Sequence, residues 1–350
     1  MSIKKVDIET LNKWIDSLIG CQKVIGVIAK GDHFNFAPLT RAADLRLDYD
    51  VTTLPPKSFL HPPKEVTLTF KTGVGYESII DTEPFVLFGI HPYDMAAIDQ
   101  MDEIFSQGHY DAHYMTRRNN VTTVVVDVQS VSPNVFAGYM GTSHIEDGYD
   151  VLLTMIGDVY IVEGKTEKGE SLMAELADEP DADERWLQQR QLVWEFNKQR
   201  LRKQELKAEA SKWPQLLEGE DAYEHPQWEE RSRLCFSCGS CNLVCPTCYC
   251  FDVRDEIGWD LSSGERFRVW DGCLLTNFAT IAGNINFRKD RSDRYRHRYF
   301  KKALYLPSKI GGQIACVGCG RCITACVAKI ANPVEIFKTL AESESHVRQR

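Results

Sequence analysis

Cys235-x2-Cys238-x2-Cys241-x3-Cys245-Pro246, reading CFSCGSCNLVCP, and Cys316-x2-Cys319-x2-Cys322-x3-Cys326, reading CVGCGRCITAC, repeat one cysteine spacing within a single chain. Two-residue gaps let three thiolates of a short loop reach three irons of a cubane, whereas the fourth cysteine lies too far along the chain and ligates the partner cluster. The spacing therefore assigns Cys235, Cys238, Cys241 and Cys326 to one [4Fe–4S] cluster and Cys316, Cys319, Cys322 and Cys245 to a second. Gly239 and Gly320 follow the second cysteine of each run, where a small residue lets backbone amides approach cluster sulfides. Two zinc sites could use the same thiols, but zinc modules favour separated pairs over a triplet plus one. A zinc-stabilised interaction module is the alternative of another class. Val327 stands after Cys326 where the first motif has Pro246, a change in a turning residue and not in a ligand.

Outward from the motifs, the chain divides by composition. Of its 12 cysteines all but Cys21 fall between Cys235 and Cys326, and Cys21 reads as a small core residue. Such density in a large chain without a leader-like N-terminus points to metal or redox chemistry in a reducing, cytoplasmic compartment. Cys248, Cys250 and Cys273 remain over. They could hold a third centre with one non-cysteine ligand or be buried thiols, and the reading adopted is two clusters with about eight irons per chain. The long segment between the motifs, with a helix expected around Cys273 to Ala282, argues for a helical dicluster scaffold. The basic run Arg288 to Lys302 (RKDRSDRYRHRYFKK) reads most simply as a solvated helix face; its sharper reading is positive charge placed beside thiolate-ligated clusters.

A net charge of −9 disfavours a nucleic-acid partner, and no apolar run reaches the length of a membrane span. Leu11, Trp14, Ile15 and Leu18 share one helical face. Strands are expected at Lys23 to Lys30, Glu65 to Phe70, Phe85 to Ile90 and Val121 to Val128, with a helix at Met95 to Phe105 and a hairpin over Val151 to Val162 turning at Gly157-Asp158. The fold class is thus α+β: an α/β scaffold or docking domain over 1–165, an acidic linker and long helix (Asp181 to Ser211) over 166–215, and a mainly helical, ferredoxin-like dicluster domain over 216–340. No nucleotide-binding glycine motif, P-loop or hydrolase elbow occurs.

The segments CFSCGSCNLVCPTCYCFDVRDE, GERFRVWDGC, AGNINFR and ACVGCGRCITAC resemble the iron–sulfur beta subunit of sulfhydrogenase-type [NiFe] hydrogenases and the related A subunit of anaerobic sulfite reductase. FVLFGIHPYD (Phe85 to Asp94) and HPQWEE (His225 to Glu230) look more like the hydrogenase branch. The resemblance implies an electron-transfer subunit with no bond chemistry of its own, working between an NAD(P)H-handling flavoprotein and a [NiFe] hydrogenase module. Anaerobic sulfite reduction is the alternative terminus. Relatives tend to carry extra cysteines near Pro92–Asp94 and Asp127–Ala137; this chain has none there, which implies a lost N-terminal cluster and a domain kept for docking.

Overall fold

The computed structural model describes residues 2–206 and 209–348. In chain order its principal strands are β1 (Ile3–Asp7), β2 (Val24–Lys30), β3 (His33–Pro38), β4 (Lys64–Lys71), β5 (Gly75–Ser78), β6 (Phe85–Ile90), β7 (Val121–Val126), β8 (Val151–Ile156), β9 (Val159–Gly164), β10 (Phe251–Ile257) and β11 (Ser263–Trp270). The first sheet has the order β1-β9-β8-β7-β6-β2-β3. Its centre, β2, β6, β7 and β8, is parallel, and its margins are antiparallel hairpins.

Parallel strands are covered on both faces, which is why β6 is apolar along its whole length and buried at all six residues. Val86 and Phe88 point to one core, Phe85, Leu87 and Ile90 to the other. The first core lies under helix Ile8–Cys21, whose Asp7 cap accepts from the Thr10 amide at 2.7 Å and whose Leu11, Trp14, Ile15 and Leu18 are buried as the periodicity requires. Trp14 meets Phe88 edge-on at 5.8 Å. Helix Pro92–Ser106 covers the other face; Pro92 starts it, where a missing N–H costs nothing. The hairpin β8–β9 turns at Gly157-Asp158 as expected.

Several sequence expectations give way. Helix Glu184–Arg200 stops short of Ser211, because from Leu201 the backbone leaves the helix and Lys203 bonds the Val135 carbonyl at 3.0 Å. The acidic stretch before it carries helix Glu167–Leu172 and sends Leu172, Met173 and Leu176 into the first core. Cys21 is exposed at the end of its helix, off the buried face. Residues 273–279 are turns, not helix.

A second, antiparallel sheet was not foreseen. Its order, β10-β11-β4-β5, joins strands from both halves of the chain. The junction is held by a buried charge cluster: Arg268 on β11 donates to Glu65 on β4 and to Asp111, each at 2.5 Å, and Arg117 also pairs with Glu65. The cysteine region is thus sewn onto the N-terminal sheet domain rather than hung from it by a linker.

Candidate metal centres

Both motifs fold alike. Gly239 and Gly320 take left-handed backbone, φ +73° and +78°, and each starts a short helix, Ser240–Leu243 and Arg321–Ala325. The glycines are demanded by this conformation and by close packing: a Cβ on Gly320 would lie 2.4 Å from the Asn134 carbonyl oxygen. The turn carries three thiols around one space. Cys235, Cys238 and Cys241 line one cavity, closed by Phe236, Leu274 and Tyr295, and the fourth thiol on its wall is Cys326 of the other motif. Cys316, Cys319 and Cys322 line a second cavity, whose fourth thiol is Cys245. Each cavity draws one cysteine from the opposite run.

The donor chemistry suits a cluster. Burial pushes the Cys241 and Cys319 thiols up to about 12 and Cys316 and Cys322 up to about 11, so these sulfurs become ligands only when metal charge replaces their protons. Cys245 is held far below the ordinary thiol value by the Cys248 hydrogen bond and, next, by the Lys302 ammonium. Lys302 donates to Cys245 Sγ at 3.2 Å and to the Thr247 hydroxyl at 2.7 Å. Among the described residues no three His, Cys, Asp or Glu side chains converge to share one metal ion; the thiols are spread around cavities instead.

The basic run corrects its simpler reading. Helix Arg291–Phe300 and the wider turn Lys301–Tyr305 that continues it bury Arg294, Arg298 and Lys302, one face of the helix, against the cysteine loops. Arg298 is 2% exposed, leaves its Nε without a partner, and borders the second cavity with no carboxylate paired to it among the described residues. A buried guanidinium lacking a counter-charge is costly. A thiolate-ligated cubane, a net anion, supplies that counter-charge, so the residues present fit the group. Arg294 reaches the first loop, donating to the Ser237 hydroxyl at 3.1 Å.

The N-terminal domain positions the second loop. Arg321, beside Cys322, forms a fully buried two-bond pair with Asp94, 2.6 Å to each oxygen, and donates to the Thr52 carbonyl and hydroxyl at 2.8 Å. The Phe136 amide donates to the Gly318 carbonyl at 2.7 Å, and the Thr142 hydroxyl to the Val317 carbonyl at 2.8 Å. Asp94 follows β6 and Phe136 follows β7, so the loop sits at the carboxyl edge of the parallel strands, a recurrent place for ligands in open α/β sheets. The segments Pro92–Asp94 and Asp127–Ala137 thus include the residues that grip this loop. Cys248, Cys250 and Cys273 meet at a separate cavity beside Arg298 and Lys302. Sequence reading missed Asp94 and Arg321, since nothing local paired them, and offered Arg298 and Lys302 only as part of the basic run in its sharper reading.

No helix among the described residues is long and apolar enough to cross a membrane. The family described as the 4Fe-4S dicluster domain matches residues 234–330. The chain is 30% identical over 335 residues to sulfhydrogenase 2 subunit beta of Pyrococcus furiosus, covering 94% of this chain and 96% of that protein. With the paired cysteine cavities, these likenesses make the chain a member of the sulfhydrogenase beta-subunit family, an iron–sulfur electron-transfer subunit with a 4Fe-4S dicluster domain.

Proposed function

We propose that this chain is the electron-relay subunit of a cytoplasmic multi-subunit oxidoreductase, standing between an NAD(P)H-linked flavoprotein and a [NiFe] hydrogenase module. In it Cys235, Cys238, Cys241 and Cys326 hold one [4Fe–4S] cluster, and Cys316, Cys319, Cys322 and Cys245 the other. The observation that carries the reading is the crossed lining of the two cavities, each with three thiols from one motif and one from the other. Such clusters exchange single electrons, and a flavin partner splits the two-electron hydride step for them. The chain's own residues fix ligands, exclude water and supply positive charge.

The two centres differ in access, as a relay requires. Cys245, Cys319 and Cys322 are buried, whereas Cys238 is exposed and is flanked by the exposed apolar residues Leu234, Phe236 and Val327. That patch over the first centre suits a protein partner exchanging electrons there. A second exposed group, Val74, Tyr76, Trp259 and Leu261, stands at the turn end of the second sheet and supports assembly into a larger complex. The hydrogenase terminus is preferred to sulfite reduction because the similar curated protein is named as a sulfhydrogenase subunit.

Native mass spectrometry of the complex purified anaerobically through this chain tests the reading. A flavin-bearing subunit and a nickel-bearing subunit should co-purify, and Leu234→Asp, in the exposed patch but off the cavity wall, should weaken retention of one of them without lowering iron per chain. A siroheme subunit in place of the nickel protein, or an isolated chain with no partners, would contradict it.

A further inference from the structure

Thr247, Arg298 and Lys302 are shared between the second cavity and a third one, whose wall carries Cys248, Cys250 and Cys273. Sequence spacing gave no reason to join these thiols. The β10–β11 hairpin does. Its first rung pairs Phe251 with Trp270, and the Asp271 amide donates to the Cys250 carbonyl at 3.1 Å, so the base of the hairpin brings Cys250 beside the Asp271-Gly272-Cys273 segment. Cys248 and Cys250, two residues apart just before β10, both reach this space.

Each sulfur already has an N–H donor. Asn242, itself buried, donates through Nδ2 to Cys273 Sγ at 3.4 Å and to Cys248 Sγ at 3.8 Å, while its Oδ1 accepts from the Leu274 amide at 3.3 Å. Lys301 Nζ donates to Cys250 Sγ at 2.9 Å. Donors aimed at sulfur are the surroundings that stabilise ligating thiolates. Three cations, Arg298, Lys301 and Lys302, border this one space, and the single carboxylate on its wall is Asp271, which accepts only from the Gly272 amide at 2.7 Å. Arg298 and Lys302 also face the second cavity, so the charge that neutral thiols would leave unanswered here is that of Lys301, whose Nζ is aimed at Cys250 Sγ. A thiolate-bound cluster would answer it.

We propose that this cavity holds a third iron–sulfur cubane, ligated by Cys248, Cys250 and Cys273, with the Asp271 carboxylate at the fourth iron. Mixed ligation by three cysteines and one carboxylate makes the fourth iron the labile one, because the oxygen ligand is harder and more weakly held than thiolate. The proposal rests on the iron–sulfur reading of the other two cavities.

The test is iron and acid-labile sulfide per chain in the full-length protein purified anaerobically, with zinc measured alongside. The proposal expects about twelve irons in the wild type, falling to about eight in Cys273→Ser, and a three-iron signal in the oxidised EPR spectrum of Asp271→Ala. The eight irons kept by Cys273→Ser show that the variant is folded. If it fails to accumulate, the wild-type count alone decides. About eight irons in the wild type, or zinc in stoichiometric amount with about eight irons, overturns the third cluster and leaves the two-cluster reading standing. Iron near zero refutes both readings together.

Discussion

Asp94→Ala tests whether the N-terminal domain holds the second cysteine loop. The Asp94 carboxylate is 0% exposed and takes a 2.6 Å bond from each terminal nitrogen of Arg321, while the remaining guanidinium contacts go to Thr52 at 2.8 Å. Removing the carboxylate leaves a buried cation with unpaired donors, a loss of about 3–5 kcal/mol for breaking one side of such a pair. At about 2–4 °C per kcal/mol for a unit of 150–250 residues, the apparent Tm should fall by roughly 10 °C. Unfolding of a cluster protein is irreversible, so variants are compared at one scan rate. Iron per chain should fall too, because Arg321 stands beside Cys322 in the loop that carries three ligands. The double variant Asp94→Leu with Arg321→Met replaces the pair by apolar groups of similar volume and should recover most of the stability. A Tm within about 2 °C of wild type and an undiminished iron content in Asp94→Ala would refute the reasoning.

Cys245→Ala should damage the centre held by Cys316, Cys319 and Cys322 and spare the one held by Cys235, Cys238 and Cys241; EPR of the reduced variant decides, and loss of the first centre's signal would reverse the assignment. Arg298→Met removes a buried cation beside the second cavity, and since a reduced cluster carries one more negative charge than an oxidised one, a potential there should fall in an EPR-monitored titration, with Arg298→Lys closer to wild type. An unchanged potential would count against the electrostatic role of the helix. Burial, and next the Asp102 charge, raise Asp99 from 3.8 to about 7. The folded state therefore keeps a proton the unfolded state has lost, and this group's contribution is present at low pH and lost as pH rises through about 7. Asp99→Asn should gain on the wild type in Tm as pH rises from about 4 to about 7 and keep that gain above it; a constant difference from about pH 4 to about 7 would argue that Asp99 is ionised throughout.

What could be read from the sequence was whatever depends on near neighbours or on a repeated spacing. The four buried residues of helix Ile8–Cys21 and the unbroken apolar run of β6 declare their burial locally. The eight cysteines declared themselves by doubled spacing. The β10–β11 hairpin did not, because five of the seven β10 residues are exposed and its sheet is completed by β4 from the other half of the chain. A run as basic as Arg288 to Lys302 reads as solvated; only the placement of the cysteine loops reveals which of its charges are buried. The Asp94–Arg321 pair spans 227 residues, beyond any local pattern. Cys248, Cys250 and Cys273 have no motif of their own, and it is the hairpin that gathers them.

The central claim, that these cysteines hold redox-active iron–sulfur clusters, is tested most directly by absorption of the anaerobically purified chain through a cycle of dithionite reduction and reoxidation. The account predicts a broad band near about 400 nm that bleaches on reduction and returns on reoxidation. A protein without that band, carrying zinc on the same cysteines, would contradict it.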